Sequence, residues 1–311
     1  MDLSIVIVSW NTCDLLRGCL ASIYSHMANT EPVLFEIFVV DNASTDGSAE
    51  MVRERFPGVH LIVNGANVGF ARASNQALRL CHGRYVLLLN SDTVVLPNAI
   101  AALMRFMSAH EAVGLLGGNL LNADRSPQAC YGNTPCLLSE LLALLSLDRR
   151  LPLPDALQCS LPRWAEPPEG FREVGWVLGA CMMTRRAALD NVGLLDEGYF
   201  MFSEETDWAR RAKRSGWRVA YLASAGIVHY GGASTRQVRY HMLPYLYASK
   251  ARYLRVHDGH MPAACFRLAV LGLATGKGTI AALGQLFGHR GGPTLRDWLR
   301  IAGEAWRLSS C

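Results

Sequence analysis

The sequence predicts an α/β chain: a Rossmann-like, mostly parallel sheet flanked by helices, followed by a helical and basic C-terminal extension. Three observations carry this. Short apolar runs rich in β-branched residues alternate, between residues 5 and 89, with stretches whose apolar residues recur at helical spacing. Each run empties abruptly into a polar corner, as in VVDNASTDGS at 39–48. Charge is divided along the chain: the 311 residues carry a formal +4, yet residues 236–311 hold 11 Lys/Arg against 3 Asp/Glu.

Ile5 to Val8 is a continuous β-branched run, the mark of a strand buried on both faces. Leu15, Leu16, Cys19, Leu20, Ile23 and Tyr24 then repeat at helical spacing. Phe35 to Val40 predicts a second strand. Asp46 is placed to cap a helix running to about Phe56, where Pro57-Gly58 ends it. Val59 to Val63 predicts a third strand, Phe70 to Cys81 a helix, and Tyr85 to Leu89 a fourth strand. Such alternation implies parallel strands joined by helical crossovers. Beyond Asp92 the period is lost. Residues 122–170 are rich in Pro, Ser and Gly and read as an insertion over the active face, broken by the helix-like LLSELLALLSL from Leu137 to Leu147. Order returns at Trp176 to Met183, at a helix from about Glu204 to Ser215, and at a strand Val219-Ala220-Tyr221.

Composition narrows the function. Nine scattered cysteines with no C-x-x-C pair argue against a zinc ribbon or a thioredoxin-like site, and free thiols in a reducing cytoplasm are expected. Residues 1–9 lack the basic start of a signal peptide. No uninterrupted apolar run of 18 residues predicts a spanning helix. The basic tail favours an anionic surface over general nucleic-acid binding, which suggests the inner face of the cell membrane. Within the tail, Met261 to Gly288 is apolar but interrupted by Arg267 and Lys277. At about 100° per residue Arg267, Gln285 and His289 fall on one side, and the Leu, Ala, Val and Phe opposite suit a helix lying in a lipid interface. Lys250, Arg252 and Arg255 would meet headgroups. Glycines at 272, 276, 278 and 284 weaken such a helix. The alternative is that this stretch packs on the rest of the chain or forms a homo-oligomer contact.

Ligands of parallel sheets bind at the carboxyl ends of the strands. Here those ends read SWN, DNAST, NGAN and NSDT. In NSDT, Asn90 and Asp92 can hold a hard divalent cation that neutralises a diphosphate, or simply cap a turn. In FMFSEETDWARRAKRSGW, Ser203 suits an N-cap, the acids Glu204, Glu205 and Asp207 complement a helix dipole, and Asp207 can pair with Arg211. The same acids can supply a general base. His229 in IVHYGG can be structural, or can complete a metal site begun by Asp92. No G-x-G-x-x-G follows the first strand, which disfavours a nicotinamide enzyme. GLATGKGT is one residue short of a Walker loop and has Gly278 where Ser or Thr belongs.

Seven motifs in order resemble one family: VSWN at 8–11, VVDNASTDGS at 39–48, NGANVGFARASNQAL at 64–78, LLLNSDT at 87–93, GWVLGACMMTRRAAL at 175–189, VGLLDEGYFMFSEETDWARRAKRSGW at 192–217 and HYGGAST at 229–235. Together they are similar to the family 2 glycosyltransferases, in the branch of bacterial rhamnosyltransferases and related cell-envelope enzymes. The resemblance spans about residues 3–240. It implies a GT-A fold and a catalytic domain over 1–240, with a nucleotide-sugar-binding half over 1–95 and an acceptor half over 96–240. Residues 241–311 are then the extension. It also implies Mg²⁺ or Mn²⁺, inversion at the anomeric carbon, a nucleotide-diphosphate sugar donor (dTDP-rhamnose first, a UDP-sugar next) and a glycan or lipid-linked acceptor. By position, Ser9 and Asp41 would contact the nucleoside, and Asn67 and Arg72 would lie near the ribose or diphosphate. Asp92 matches the metal-binding acid of the D-x-D signature, Asn90 replaces its first acid, and Ser91 lies between them on the donor side. His229 matches a late metal-side histidine. Trp176, Gly179 and Ala180 match the sugar and acceptor shelf. Glu204-Glu205 stands where the family shows Glu-Asp, so Glu205 takes the base position with an arm one methylene longer, and Glu204 borders the acceptor. Two alternatives remain: a nucleotidyltransferase, although residues 9–20 offer only Arg17 as a basic group, and a non-catalytic nucleotide-sugar or glycan-binding module, which would need neither Glu205 nor His229.

Overall fold

The structure is a computed structural model that describes residues 1–28, 32–148, 150–151, 154, 157, 170–231, 239–286 and 294–308. His289 and residues 232–235 of HYGGAST lie outside these. The chain forms two compact units: residues 1–134, 161–197 and 204–236, and residues 135–160, 198–203 and 237–311.

The first unit opens with β1 (Leu3–Ser9), α1 (Cys13–Met27), β2 (Phe35–Asp41), α2 (Ser48–Arg55), β3 (His60–Val63), α3 (Phe70–Leu78) and β4 (Tyr85–Asn90). There follow β5 (Thr93–Val95), α4 (Ala99–Ala109), β6 (Val113–Leu121), β7 (Tyr131–Gly132), α5 (Leu137–Leu144, in the second unit), β8 (Phe171–Glu173), β9 (Trp176–Val177), β10 (Cys181–Arg185), α6 (Arg186–Val192), α7 (Glu204–Arg214) and β11 (Arg218–His229). The main sheet runs β3-β2-β1-β4-β10-β6-β11-β5, with β8 on β11. The strands β3, β2, β1 and β4 are mutually parallel, and β10 enters antiparallel between β4 and β6. Ile5, Ile7, Val39, Val40 and Leu87 are wholly buried, as continuous apolar runs between helical layers require. Each such burial is worth about 1.5–3 kcal/mol.

Several elements differ from the sequence expectation. Residues 93–121, just past Asp92, form regular elements, whereas most of 152–169, in the expected insertion, lies outside the described residues. Asn98 adopts a left-handed φ of 63° that turns the chain into α4, whose Ile100, Leu103, Phe106 and Met107 face the core. Trp176 to Met183 divides into β9, paired with β7, and β10, paired with β4. The strand predicted at Val219–Tyr221 continues to His229 through an irregularity between Leu222 and Gly226. Gly47, with φ 83°, takes the N-cap position expected for Asp46. The Asp46 carboxylate instead accepts the N–H groups of Cys13 (2.8 Å) and Ser48 (3.1 Å), tying the starts of α1 and α2 together. Ser203, expected as an N-cap, has a φ of 66°, not the extended backbone of a capping residue.

The second unit holds α5, α8 (Arg239–Asp258), α9 (His260–Leu286) and α10 (Leu295–Leu308). Its core gathers Tyr199, Leu254, Phe266, Val270 and Ala302, with Leu137, Leu141 and Leu144 of α5 packed against it. The apolar stripe of α5 therefore associates with the C-terminal helices. Lys250 donates to the buried carboxylate of Glu140. Helix α9 passes unbroken through all four of its glycines, because packing against α8 and α10 outweighs their low propensity. Phe266 and Val270 point into this core.

Candidate active site

Strand register brings the site together. Ser9 pairs with Asp41 and Val8 with Asn90, so three strand ends come level at the carboxyl edge. A hydroxyl chain ties the first turn to the NSD turn: Ser9 Oγ lies 2.9 Å from Thr12 Oγ1, which lies 2.8 Å from Ser91 Oγ. Asp41 Oδ2 accepts the Ser44 N–H at 3.0 Å, whereas Asp41 Oδ1 is buried with no hydrogen-bond partner. An orphaned buried acceptor costs about 1–3 kcal/mol, more when charged, and a donor N–H of a bound ligand satisfies it.

Asn42 organises the neighbouring loop. Its Nδ2 donates to Asn67 Oδ1 (2.8 Å), and its Oδ1 accepts from Asn64 Nδ2 (3.1 Å) and the Val68 N–H (3.0 Å). Asn67 Oδ1 also takes the Gly69 N–H at 3.0 Å, so this oxygen shapes the loop. Arg72, in the first turn of α3, has a side chain 64% exposed and lies 4.0 Å from Glu197.

Pairing of β5 with β11 sets His229 beside Asp92, and the Tyr230 N–H donates to Asp92 O at 3.0 Å. His229 Nδ1 lies 2.6 Å from Gln128 Oε1, while Gln128 Nε2 donates to Asn122 Oδ1 (3.1 Å). With its amide nitrogen so committed, Gln128 offers an acceptor, and Nδ1 carries the proton. His229 Nε2 lies 3.3 Å from Asp92 Oδ1 and 3.4 Å from Asn90 Nδ2. Both side chains of this pair are buried. Among the described residues no group of three or more His, Cys, Asp or Glu side chains could hold a metal; Asp92 and His229 form a pair. Gly231, at φ 66°, leaves space here: a Cβ would come within 3.2 Å of Gln128 Nε2.

Glu204 and Glu205 begin α7 and are both buried. Thr206 Oγ1 donates to Glu205 Oε1 at 3.4 Å. Burial pushes the Glu205 carboxyl up to about 7. Burial, and then the neighbouring charge of Glu205, push Glu204 well above the usual carboxylate range. Gly179 is the adjoining shelf: a Cβ there would lie 3.9 Å from both Glu205 Cβ and Phe70 Cε1. Ala180 O accepts the Asn90 N–H at 3.1 Å, which joins this shelf to the NSD turn. Trp176 is buried in β9, the strand on which α7 packs. The structure thus brings Ser9, Asp41, Asn67, Asn90, Ser91, Asp92 and His229 to one sheet edge, and Gly179, Ala180, Glu204 and Glu205 to its border. Thr12, Asn42 and Gln128 escaped the sequence reading. Thr12 and Asn42 adjoin recognised motifs, but nothing around Gln128 signals its role.

The family model Glycosyl transferase family 2 matches residues 4–128. An N-acetylglucosaminyl-diphospho-decaprenol L-rhamnosyltransferase of Mycobacterium tuberculosis is 30% identical over 272 residues, covering 83% of this chain and 85% of that protein. Among solved structures, S. aureus TarS 1-349 aligns with a TM-score of 0.53 at 15% identity, covering 99% of this chain and 81% of that one. The mannosyltransferase PcManGT of Pyrobaculum calidifontis, in complex with GDP-Man and Mn²⁺, aligns with a TM-score of 0.53 at 19% identity, covering 99% and 86%. The fold is GT-A, and the chain belongs to glycosyl transferase family 2.

Proposed function

We propose that the chain transfers L-rhamnose from dTDP-L-rhamnose to a hydroxyl of a lipid-linked glycan, in one inverting displacement assisted by a divalent cation. The mycobacterial relative, named for rhamnosyl transfer to a decaprenyl-diphosphate-linked N-acetylglucosamine, supports donor and acceptor class. The observation that carries the chemistry is the juxtaposition, on one sheet edge, of an orphaned Asp41 oxygen and the buried Asp92–His229 pair. Asp41 and Ser9 would hold the nucleoside. Asp92 and His229 would hold Mg²⁺ or Mn²⁺, and such an ion, when bound, offsets charge gathering on the diphosphate. Glu205, buried and poised near neutrality, takes the proton of the acceptor hydroxyl as its oxygen attacks the anomeric carbon. The bond from that carbon to the diphosphate breaks as the new glycosidic bond forms, and the nucleoside diphosphate departs with the electron pair. One carboxylate suffices, because no glycosyl-enzyme intermediate forms. Glu204, its carboxyl pushed up by burial and by the charge of Glu205, would border the acceptor.

A panel of dTDP-rhamnose, UDP-glucose, UDP-galactose and GDP-mannose, each titrated by calorimetry with Mg²⁺ and then assayed with a polyprenyl-diphosphate N-acetylglucosamine, tests the reading. Release of dTDP only with acceptor, and a product heavier by one deoxyhexose, is the expected result. Donor binding without release would favour a binding module, and transfer of the nucleotide would favour a nucleotidyltransferase.

A further inference from the structure

Helix α9 is apolar on its buried and on its exposed side alike. A surface helix normally turns apolar residues inward and charges outward. The exposed arc of α9 instead runs from Met261 (78% exposed) through Leu268 (59%), Leu271 (40%) and Thr275 to Ile280 (71%) and holds no charged residue. At 1.5 Å per residue this arc is about 28 Å long. Both charges inside the helix point elsewhere. The Arg267 guanidinium lies 5.7 Å from the Trp306 ring centroid, and the Lys277 ammonium 4.9 Å from that of Trp298, both on α10. At 100° per residue they sit about 120° and 160° from the centre of the arc. Even the hydroxyls of the arc are spent on its own backbone: Thr275 Oγ1 donates to Leu271 O (3.0 Å) and Thr279 Oγ1 to Thr275 O (2.9 Å). The segment His260–Ala281 is long and apolar enough to cross a membrane by length and composition, and only 28% of its most apolar window is buried.

Charge identifies what covers this face. The outer side of α10 carries Arg296, Arg300 and Arg307 interleaved with Leu299 and Trp306, with Glu304 4.0 Å from Arg300 and Asp297 beside Arg296, so its net charge stays positive in a mixture that suits a lipid interface. Residues 236–311 hold 11 Lys/Arg against 3 Asp/Glu, so a second copy would bring like charge, and an anionic bilayer brings the opposite. We propose that the exposed arc of α9 seats in the headgroup–acyl boundary of an anionic bilayer, with the arginines of α10 meeting lipid phosphates. The helix lies on the membrane and does not cross it, because Arg267 and Lys277 would each cost about 2.5–3.5 kcal/mol near the bilayer centre.

Flotation with vesicles tests this without reading any activity, so its outcome is separate from that of the proposed transfer reaction. The full chain should float with vesicles of phosphatidylglycerol in phosphatidylcholine, float poorly with phosphatidylcholine alone, and be released by high salt or alkaline carbonate. Leu268→Glu/Ile280→Glu, at two exposed positions, should lower the floated fraction about tenfold while the circular-dichroism melt is unchanged. Arg296→Gln/Arg300→Gln should weaken only the dependence on anionic lipid. The proposal is overturned by absence of flotation, by equal flotation of the double-glutamate variant, or by resistance to carbonate, which would mean a spanning helix. It is equally overturned if sedimentation without lipid shows a dimer that Leu268→Glu/Ile280→Glu dissociates.

Discussion

The two ends of the central strands carry the same kinds of side chain and use them differently. Near their amino ends, Ser4 Oγ donates to Glu36 Oε1 (2.6 Å) and accepts the Gly83 N–H (2.7 Å), and Glu36 Oε1 also takes the His82 N–H (2.7 Å). Burial opposes ionisation of Glu36, but the Ser4 and His82 hydrogen bonds outweigh it and hold its carboxyl below the usual range. Five residues further along the same two strands stand Ser9 and Asp41. There the hydroxyl passes its bond sideways to Thr12, and one carboxylate oxygen stays buried without a donor. At the closed end every polar group serves the fold. At the open end the same chemistry leaves an acceptor buried and unmet, which costs stability and which the proposed donor would satisfy.

The widest separation of the two ends should come from the open end's base. Glu205→Gln should lower kcat by about 10²–10⁴-fold while calorimetry shows donor affinity within a few-fold of wild type. Near-normal turnover would transfer the role to Glu204 or Asp207. Next in size is the metal corner. Asp92→Ala should abolish Mn²⁺ binding read by electron paramagnetic resonance. Gln128→Ala, which frees the His229 ring, should weaken that binding by about 10–100-fold, and Gln128→Glu, which restores an acceptor, should recover most of it. Full activity in excess EDTA would remove the cation from the mechanism. Smaller still is the pH effect. Activity should rise with pH through about 7 as Glu205 loses its proton. Because the folded state holds that proton above the ordinary glutamate value of 4.5, stability should fall as pH rises from about 4.5 through about 7 and then level off. Glu205→Gln should flatten that fall in a series of chemical denaturations. Glu204→Gln mimics the neutral acid and should keep activity within a few-fold.

The strands β1, β2 and β4 and their polar ends were legible because both signals are local: a continuous β-branched run, then an abrupt acid or amide. The crowding of acids at one helix start marked Glu204, Glu205 and Asp207 together, and only the resemblance to the family singled out Glu205. Gln128 was not legible, since it lies 101 residues from His229 in a Pro- and Ser-rich stretch and meets it only through strand pairing. The exposed apolar side of α9 was legible from the wheel, on the side away from Arg267, but what that cation meets was not. A helical wheel sends Arg267 to solvent, but it cannot know that Trp306, on another helix, gives that cation an aromatic face.

The open edge as a donor site is tested most directly by titrating dTDP-L-rhamnose, with Mg²⁺, into Asp41→Asn and Glu36→Ala alongside wild type, with denaturation of each variant. Asp41→Asn keeps an oxygen for the Ser44 N–H but alters the orphan, so donor affinity should fall about tenfold or more while stability changes by less than about 1 kcal/mol. Glu36→Ala strands the Ser4 hydroxyl and the His82 N–H, so stability should fall by about 1–3 kcal/mol while donor affinity holds. Equal donor affinity in wild type and Asp41→Asn, or a loss confined to Glu36→Ala, would contradict the assignment of the carboxyl edge as the nucleotide-sugar site.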